Sequence, residues 1–111
     1  MSDDLAITNL QDDLYTIMSL GLLTLHIHLP GCQSLKEKRS RLKPLLARLH
    51  REFNISVAEI DHQDLWQDAV IACAFVSNDN GFTQRSLCKV VDWLENSRLD
   101  IDLISEQLEI M

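Results

Sequence analysis

Leu23-Thr24-Leu25-His26-Ile27-His28-Leu29-Pro30-Gly31-Cys32-Gln33-Ser34-Leu35-Lys36-Glu37 holds a strand, a stop and a helix start in one short stretch. Leu23, Leu25, Ile27 and Leu29 alternate with Thr24, His26 and His28, the two-residue period of a strand with one apolar face. Leu22 falls on the second face with the histidines. Pro30-Gly31 ends the strand. Ser34 and Glu37 then stand three positions apart, the Ser-x-x-Glu capping box that opens a helix. Leu35, Leu42, Leu45, Leu46, Leu49 and Phe53 fall on one stripe of that helix. Pro44 lies inside it, removes a backbone donor, and predicts a kink or a split near Arg41.

Working outward, Asn54–Asp61 reads as a strand rich in β-branched residues, followed by a turn at His62–Asp64. Trp66–Ser77 is apolar on both faces, which predicts a central strand. Asn78-Asp79-Asn80-Gly81 breaks that run and supplies cap residues. A second helix follows, with Thr83, Leu87, Val90, Val91 and Leu94 inward. Leu99, Ile101 and Leu103 then alternate with Asp100 and Asp102 in a last strand that runs toward Ile110. The order strand, helix, strand, strand, helix, strand predicts an α+β fold, the ferredoxin-like β-α-β-β-α-β sandwich. Both helices would lie on one face of a four-stranded antiparallel sheet, joined by right-handed crossovers.

The chain has 111 residues, enough for one domain with one modest core, expected at 18–111. Residues 1–17 hold four Asp and no basic residue, and read as a flexible acidic N-terminal arm. Ile7, Leu10, Leu14 and Ile17 in that arm recur at near-helical spacing. The apolar stretches Leu20–Leu29 and Val70–Val76 are too short to cross a bilayer, and no basic residue precedes an apolar run at the start. Cys32, Cys73 and Cys88 form no CxxC pair, and their odd number argues against a disulfide framework. These features predict a cytoplasmic protein that does not engage a membrane.

Charge is segregated. Seven of the ten Lys and Arg residues lie between Lys36 and Arg51, although the net charge is −7. Ser34–Phe53 carries seven positive and two negative side chains, a balance of +5, against −12 for the remainder. Such separation orients a small protein toward a polyanion. At about 100° per residue, Lys36, Arg39 and Lys43 share one flank of the apolar stripe, Arg41 and Arg48 share the other, and Lys38 falls close to the stripe itself. Most of these cations sit in the amino-terminal half of the helix, where the macrodipole disfavours them. A cost of that sign, left in place, hints that something else uses the charge.

Leu25-His26-Ile27-His28-Leu29-Pro30-Gly31, followed by Ser34-Leu35-Lys36-Glu37-Lys38-Arg39, resembles the YlxP-like family of small uncharacterised bacterial proteins. So do Val57-Ala58-Glu59-Ile60-Asp61-His62-Gln63-Asp64-Leu65-Trp66-Gln67 and Val76-Ser77-Asn78-Asp79. The resemblance covers about Met18 to Met111. It implies a ferredoxin-like fold, with no enzymatic activity or cofactor established for the family. Its members' genes often lie beside those for translation initiation and ribosome maturation, which implies a role around the ribosome. Relatives usually begin near the position of Met18, so residues 1–17 depart from the pattern.

These readings lead to a non-enzymatic binding protein whose Lys36, Lys38, Arg39, Arg41 and Lys43 contact phosphates of ribosomal RNA or a ribosome-assembly particle. A protein–protein adaptor that sets the same helix against an acidic partner, with Trp93 as an anchor, is the alternative. Glu59, Asp61, Gln63, Asp64 and Trp66 form the densest polar cluster. A hydrolase would draw an acid/base pair from it, yet no nucleophile or phosphate loop accompanies these residues. Turn chemistry is the expected use of Asp61 and Asp64, with Trp66 anchoring the next strand. His26 and His28 have the x-His-x-His spacing that can ligate zinc, near Asp61, His62 and Asp64 in sequence. No third ligand stands at a recognisable spacing, so no metal or cofactor is expected. The sheet face free of helices carries Leu20, Leu22 and one row of the central strand, and predicts a homodimer through that face.

Overall fold

The computed structural model describes residues 18–62 and 64–111, so the acidic arm lies outside the described residues. Six elements follow one another: β1 (Ser19–His28), α1 (Leu35–Phe53), β2 (Ser56–Asp61), β3 (Asp68–Ser77), α2 (Asn80–Asn96) and β4 (Asp102–Ile110). The strands form one antiparallel sheet in the order β2-β3-β1-β4. This is the ferredoxin-like arrangement that the element order implies.

The alternation of β1 settles which face is which. Leu23, Leu25, Ile27 and Leu29 are buried beneath the helices with Ala69, Ile71 and Cys73 of β3. Leu42, Leu45 and Leu49 of α1 and Leu87, Val90 and Leu94 of α2 close the core from above. Burial pushes the Cys73 thiol up to about 12, so it stays protonated. The other face shows Leu20, Leu22, Thr24, His26 and His28, paired with Val76, Ala74, Ala72, Val70 and Asp68.

Both helices begin as the sequence implies. The Ser34 hydroxyl accepts from the Glu37 amide at 3.0 Å, and the Glu37 carboxylate accepts from the Gln33 amide at 2.9 Å. The Cys32 side chain and the Gln33 amide hold the pKa of that carboxylate below the usual value, while the geometric bond of the thiol goes to the Ser34 carbonyl at 3.5 Å. Asp79 caps α2 by accepting from Phe82 at 2.7 Å. Gly21 lets α2 sit close on β1: a Cβ there would lie 2.5 Å from Thr83 Cγ2 and 2.6 Å from Leu87 Cδ1.

Two expectations are corrected. Of the kink or split expected at Pro44, the split does not occur: the first helix runs unbroken from Leu35 to Phe53. Pro44 is exposed, so the carbonyl four residues back loses its partner on the solvent side, where water can reach it. Trp66 does not open the third strand either. β3 starts at Asp68, and Trp66 lies in the preceding loop, 52% exposed. No helix among the described residues is long and apolar enough to cross a membrane.

Candidate functional site

One end of the molecule gathers the β1–α1 loop, the first turns of α1 and the β2–β3 hairpin. Lys38 holds them together. Its side chain is only 2% exposed, and its ammonium lies 2.8 Å from Glu59 Oε2 on β2. The same group donates to the His62 carbonyl at 2.6 Å. Glu59 Oε2 accepts no well-aligned hydrogen bond, so the 2.8 Å contact is charge against charge while the directional bond goes to His62. The hairpin is fastened further by Leu29 N–H to the Gln67 carbonyl at 2.7 Å and by Gln67 Nε2 to the Cys32 carbonyl at 3.2 Å.

Burial removes Lys38 from the phosphate-contacting set expected from the sequence. Helical spacing had placed it at the margin of the apolar stripe, and the margin turns inward here to meet a carboxylate. Arg41 is also engaged: it donates to the Pro30 carbonyl at 2.9 Å and to the Asp100 carbonyl at 2.5 Å, with the Asp100 carboxylate at 3.4 Å. It therefore ties α1 to both its own entry loop and the approach to β4. Lys36, Arg39 and Lys43 are exposed, and no carboxylate among the described residues pairs with them. On an acidic protein, three exposed cations without a carboxylate partner among the described residues form a positive surface along one helix flank.

The pattern described as "Protein of unknown function (DUF503)" matches residues 20–108, from the second residue of β1 into β4. The chain belongs to the DUF503 family. It is also 40% identical, over 63 residues, to the uncharacterized protein YlxP of Bacillus subtilis strain 168. That match takes in 57% of this chain and 68% of the relative. The YlxP-like resemblance is thereby established. Within this DUF503 member, two of the stretches that carry it meet in space: Lys38 belongs to one and Glu59 to the other.

The rest of the polar cluster divides. Asp61 Oδ1 accepts from the His62 amide at 2.7 Å, the turn chemistry expected of it. His62 adopts the left-handed conformation at φ 60°, and its carbonyl accepts from Leu65 at 3.0 Å. Asp64 and Trp66 are exposed at the hairpin, whereas Gln63 lies outside the described residues.

His26 and His28 share one carboxylate that the sequence reading overlooked. Asp68 Oδ1 is 3.1 Å from His26 Nε2 and 3.6 Å from His28 Nδ1. Burial pushes the Asp68 pKa up, but the bonds from His26 and His28 outweigh this, and the net shift is downward. Antiparallel register alone sets His28 opposite Asp68, a signal available only once the β1–β3 pairing is known. Among the described residues, no three His, Cys, Asp or Glu side chains form a group suited to a metal ion. Trp93 packs edge-on against Phe53 of α1 at 5.8 Å, with the Arg48 guanidinium 4.9 Å over its ring. This lateral packing against α1 leaves Trp93 poorly placed as the partner anchor expected from the sequence.

Proposed function

We propose that this DUF503 protein is a non-enzymatic, cytoplasmic binding module that associates with ribosomal RNA or a ribosome-assembly particle through the exposed flank of α1. Lys36, Arg39 and Lys43 make the phosphate contacts, with Arg41 contributing whatever its bonds to Pro30 and Asp100 leave free. Lys38 serves the fold instead. The supporting observation is that these three cations are exposed and pair with no carboxylate among the described residues of a protein of net charge −7, while their neighbours Lys38 and Arg41 have partners. A helix flank with phosphate-contacting cations and acidic surroundings binds polyanions without binding every nucleic acid surface. The adaptor alternative has less support, because Trp93 is committed to Phe53 and Arg48.

Filter binding to ribosomal RNA across a salt series tests this reading. Affinity is expected to fall with salt, and each of Lys36→Gln, Arg39→Gln and Lys43→Gln should flatten the slope by about one. Salt-insensitive binding, or slopes unchanged in all three variants, would refute it. Capture of a protein partner that survives nuclease and depends on the same cations would favour the adaptor.

A second copy of the chain is proposed to cover the open sheet face. One half of that face is apolar, with Leu20, Leu22, Ala74 and Val76, and Val76 is 62% exposed. The other half carries His26, His28 and Asp68. A twofold axis through the apolar half sets that half against itself. Light scattering at micromolar concentration should give twice the chain mass, and Val76→Asp should give a monomer. A monomeric wild-type protein would exclude this arrangement.

A further inference from the structure

The β2–β3 hairpin displays a second surface, of opposite charge to the α1 flank. Leu65 is 48% exposed and Trp66 52%, adjacent in sequence and both turned to solvent. Their backbone is not loose. The hairpin is held by Lys38 and Leu65 N–H at the His62 carbonyl, and by Gln67, whose backbone carbonyl accepts from Leu29 and whose side-chain amide donates to Cys32. A backbone already fastened beneath an exposed aromatic side chain lowers the ordering cost of binding to it. Such residues are the usual anchors of protein interfaces.

The chemistry around Trp66 selects the occupant. Asp64 lines the same shallow hollow of about 410 Å³, with Leu65, Trp66, Gln67 and Asp68. Asp61 ends β2 at the base of the hairpin, exposed. No Lys or Arg among the described residues pairs with Asp61 or Asp64, and Asp68 is engaged by His26 and His28. An RNA strand laid on Trp66 would bring its phosphates toward carboxylates that no Lys or Arg among the described residues neutralises. A cationic side chain would gain twice, from the ring face and from the carboxylates.

We infer that the Leu65–Trp66 hairpin is a docking surface for a basic segment of another protein, with Trp66 as aromatic anchor and Asp61 and Asp64 as charge partners. A Lys- or Arg-rich extended segment with an interspersed apolar residue fits best, its apolar side chain on Leu65 and its cations around Trp66. This surface is separate from the α1 flank and does not depend on the RNA reading.

The test uses the full chain carrying Trp93→Phe, which leaves Trp66 as the one tryptophan. It is titrated, at physiological ionic strength, with a synthetic Arg/Lys-rich peptide containing one leucine. Trp66 emission should shift to shorter wavelength and saturate. By calorimetry, Trp66→Ala and the Asp61→Asn/Asp64→Asn pair should each weaken binding roughly tenfold or more. Trp66→Phe should retain most of the affinity, and Lys36→Glu/Arg39→Glu should not weaken it. Absence of saturation, or equal affinity after Trp66→Ala, would overturn the inference. So would a Trp66 response to single-stranded oligoribonucleotide with none to the peptide.

Discussion

Lys36 and Lys38 are two positions apart on α1 and do opposite things. Lys36 points into solvent with no carboxylate partner among the described residues, whereas Lys38 is buried against Glu59 and the His62 carbonyl. Removing Lys38 leaves a part-buried carboxylate and a carbonyl without their cation, so Lys38→Ala should destabilise the protein by about 3 kcal/mol. Lys36→Ala should stay within about 0.5 kcal/mol of wild type. Urea denaturation checks both, and equal effects would show that the buried pair does not hold the hairpin. The double replacement Lys38→Met/Glu59→Leu should recover most of the loss, because an apolar pair removes both desolvated charges together. Any loss of binding in Lys38→Ala would then reflect folding. Charge reversal for binding studies therefore belongs at Lys36, Arg39 and Lys43.

Among the elements, the closest approach is that of α2 to β1. At Gly21 an added methyl group would lie 2.5 Å from Thr83 Cγ2, inside any real Cβ contact. Thr83 has little room to retreat, since its hydroxyl lies 2.8 Å from Ser19 Oγ and 2.6 Å from Ser77 Oγ. Gly21→Ala should therefore cost roughly 1–3 kcal/mol by overpacking, seen as a lower urea midpoint with an unchanged slope. A neutral result would mean that α2 shifts freely over the sheet. The strand alternation of β1 and the capping box of α1 were legible because each is a local pattern with a fixed period. The irregularities of the edge strands were not. Register slips at Ile60 in β2 and at Ile104 in β4, so Leu103 faces the helices with Leu108 and Ile110 although the parity has changed. In sequence this shows only as a change in apolar phase after Leu103. The Lys38–Glu59 pair was hidden for a different reason: its partners come from separate elements and meet only through the fold. Exposure of Trp66 was misread because an aromatic ahead of an apolar run resembles the first residue of a strand.

Across the whole molecule, charge is sorted twice. The exposed flank of α1 is positive, the hairpin beside it is negative and aromatic, and Lys38 joins the two without belonging to the outer face of either. The fold thus separates a structural cation from the cations available for binding, although all of them lie within one short basic run of sequence. A binding role for that run rests on the free cations alone. Sedimentation of the tagged protein through a sucrose gradient, with and without RNase, distinguishes the possibilities. Wild-type protein should travel with ribosomal particles and return to the top of the gradient after RNase, and Lys36→Glu/Arg39→Glu/Lys43→Glu should remain at the top throughout. Wild-type protein at the top under every condition, or a triple variant that sediments as the wild type does, would rule out the α1 flank as the site of RNA association.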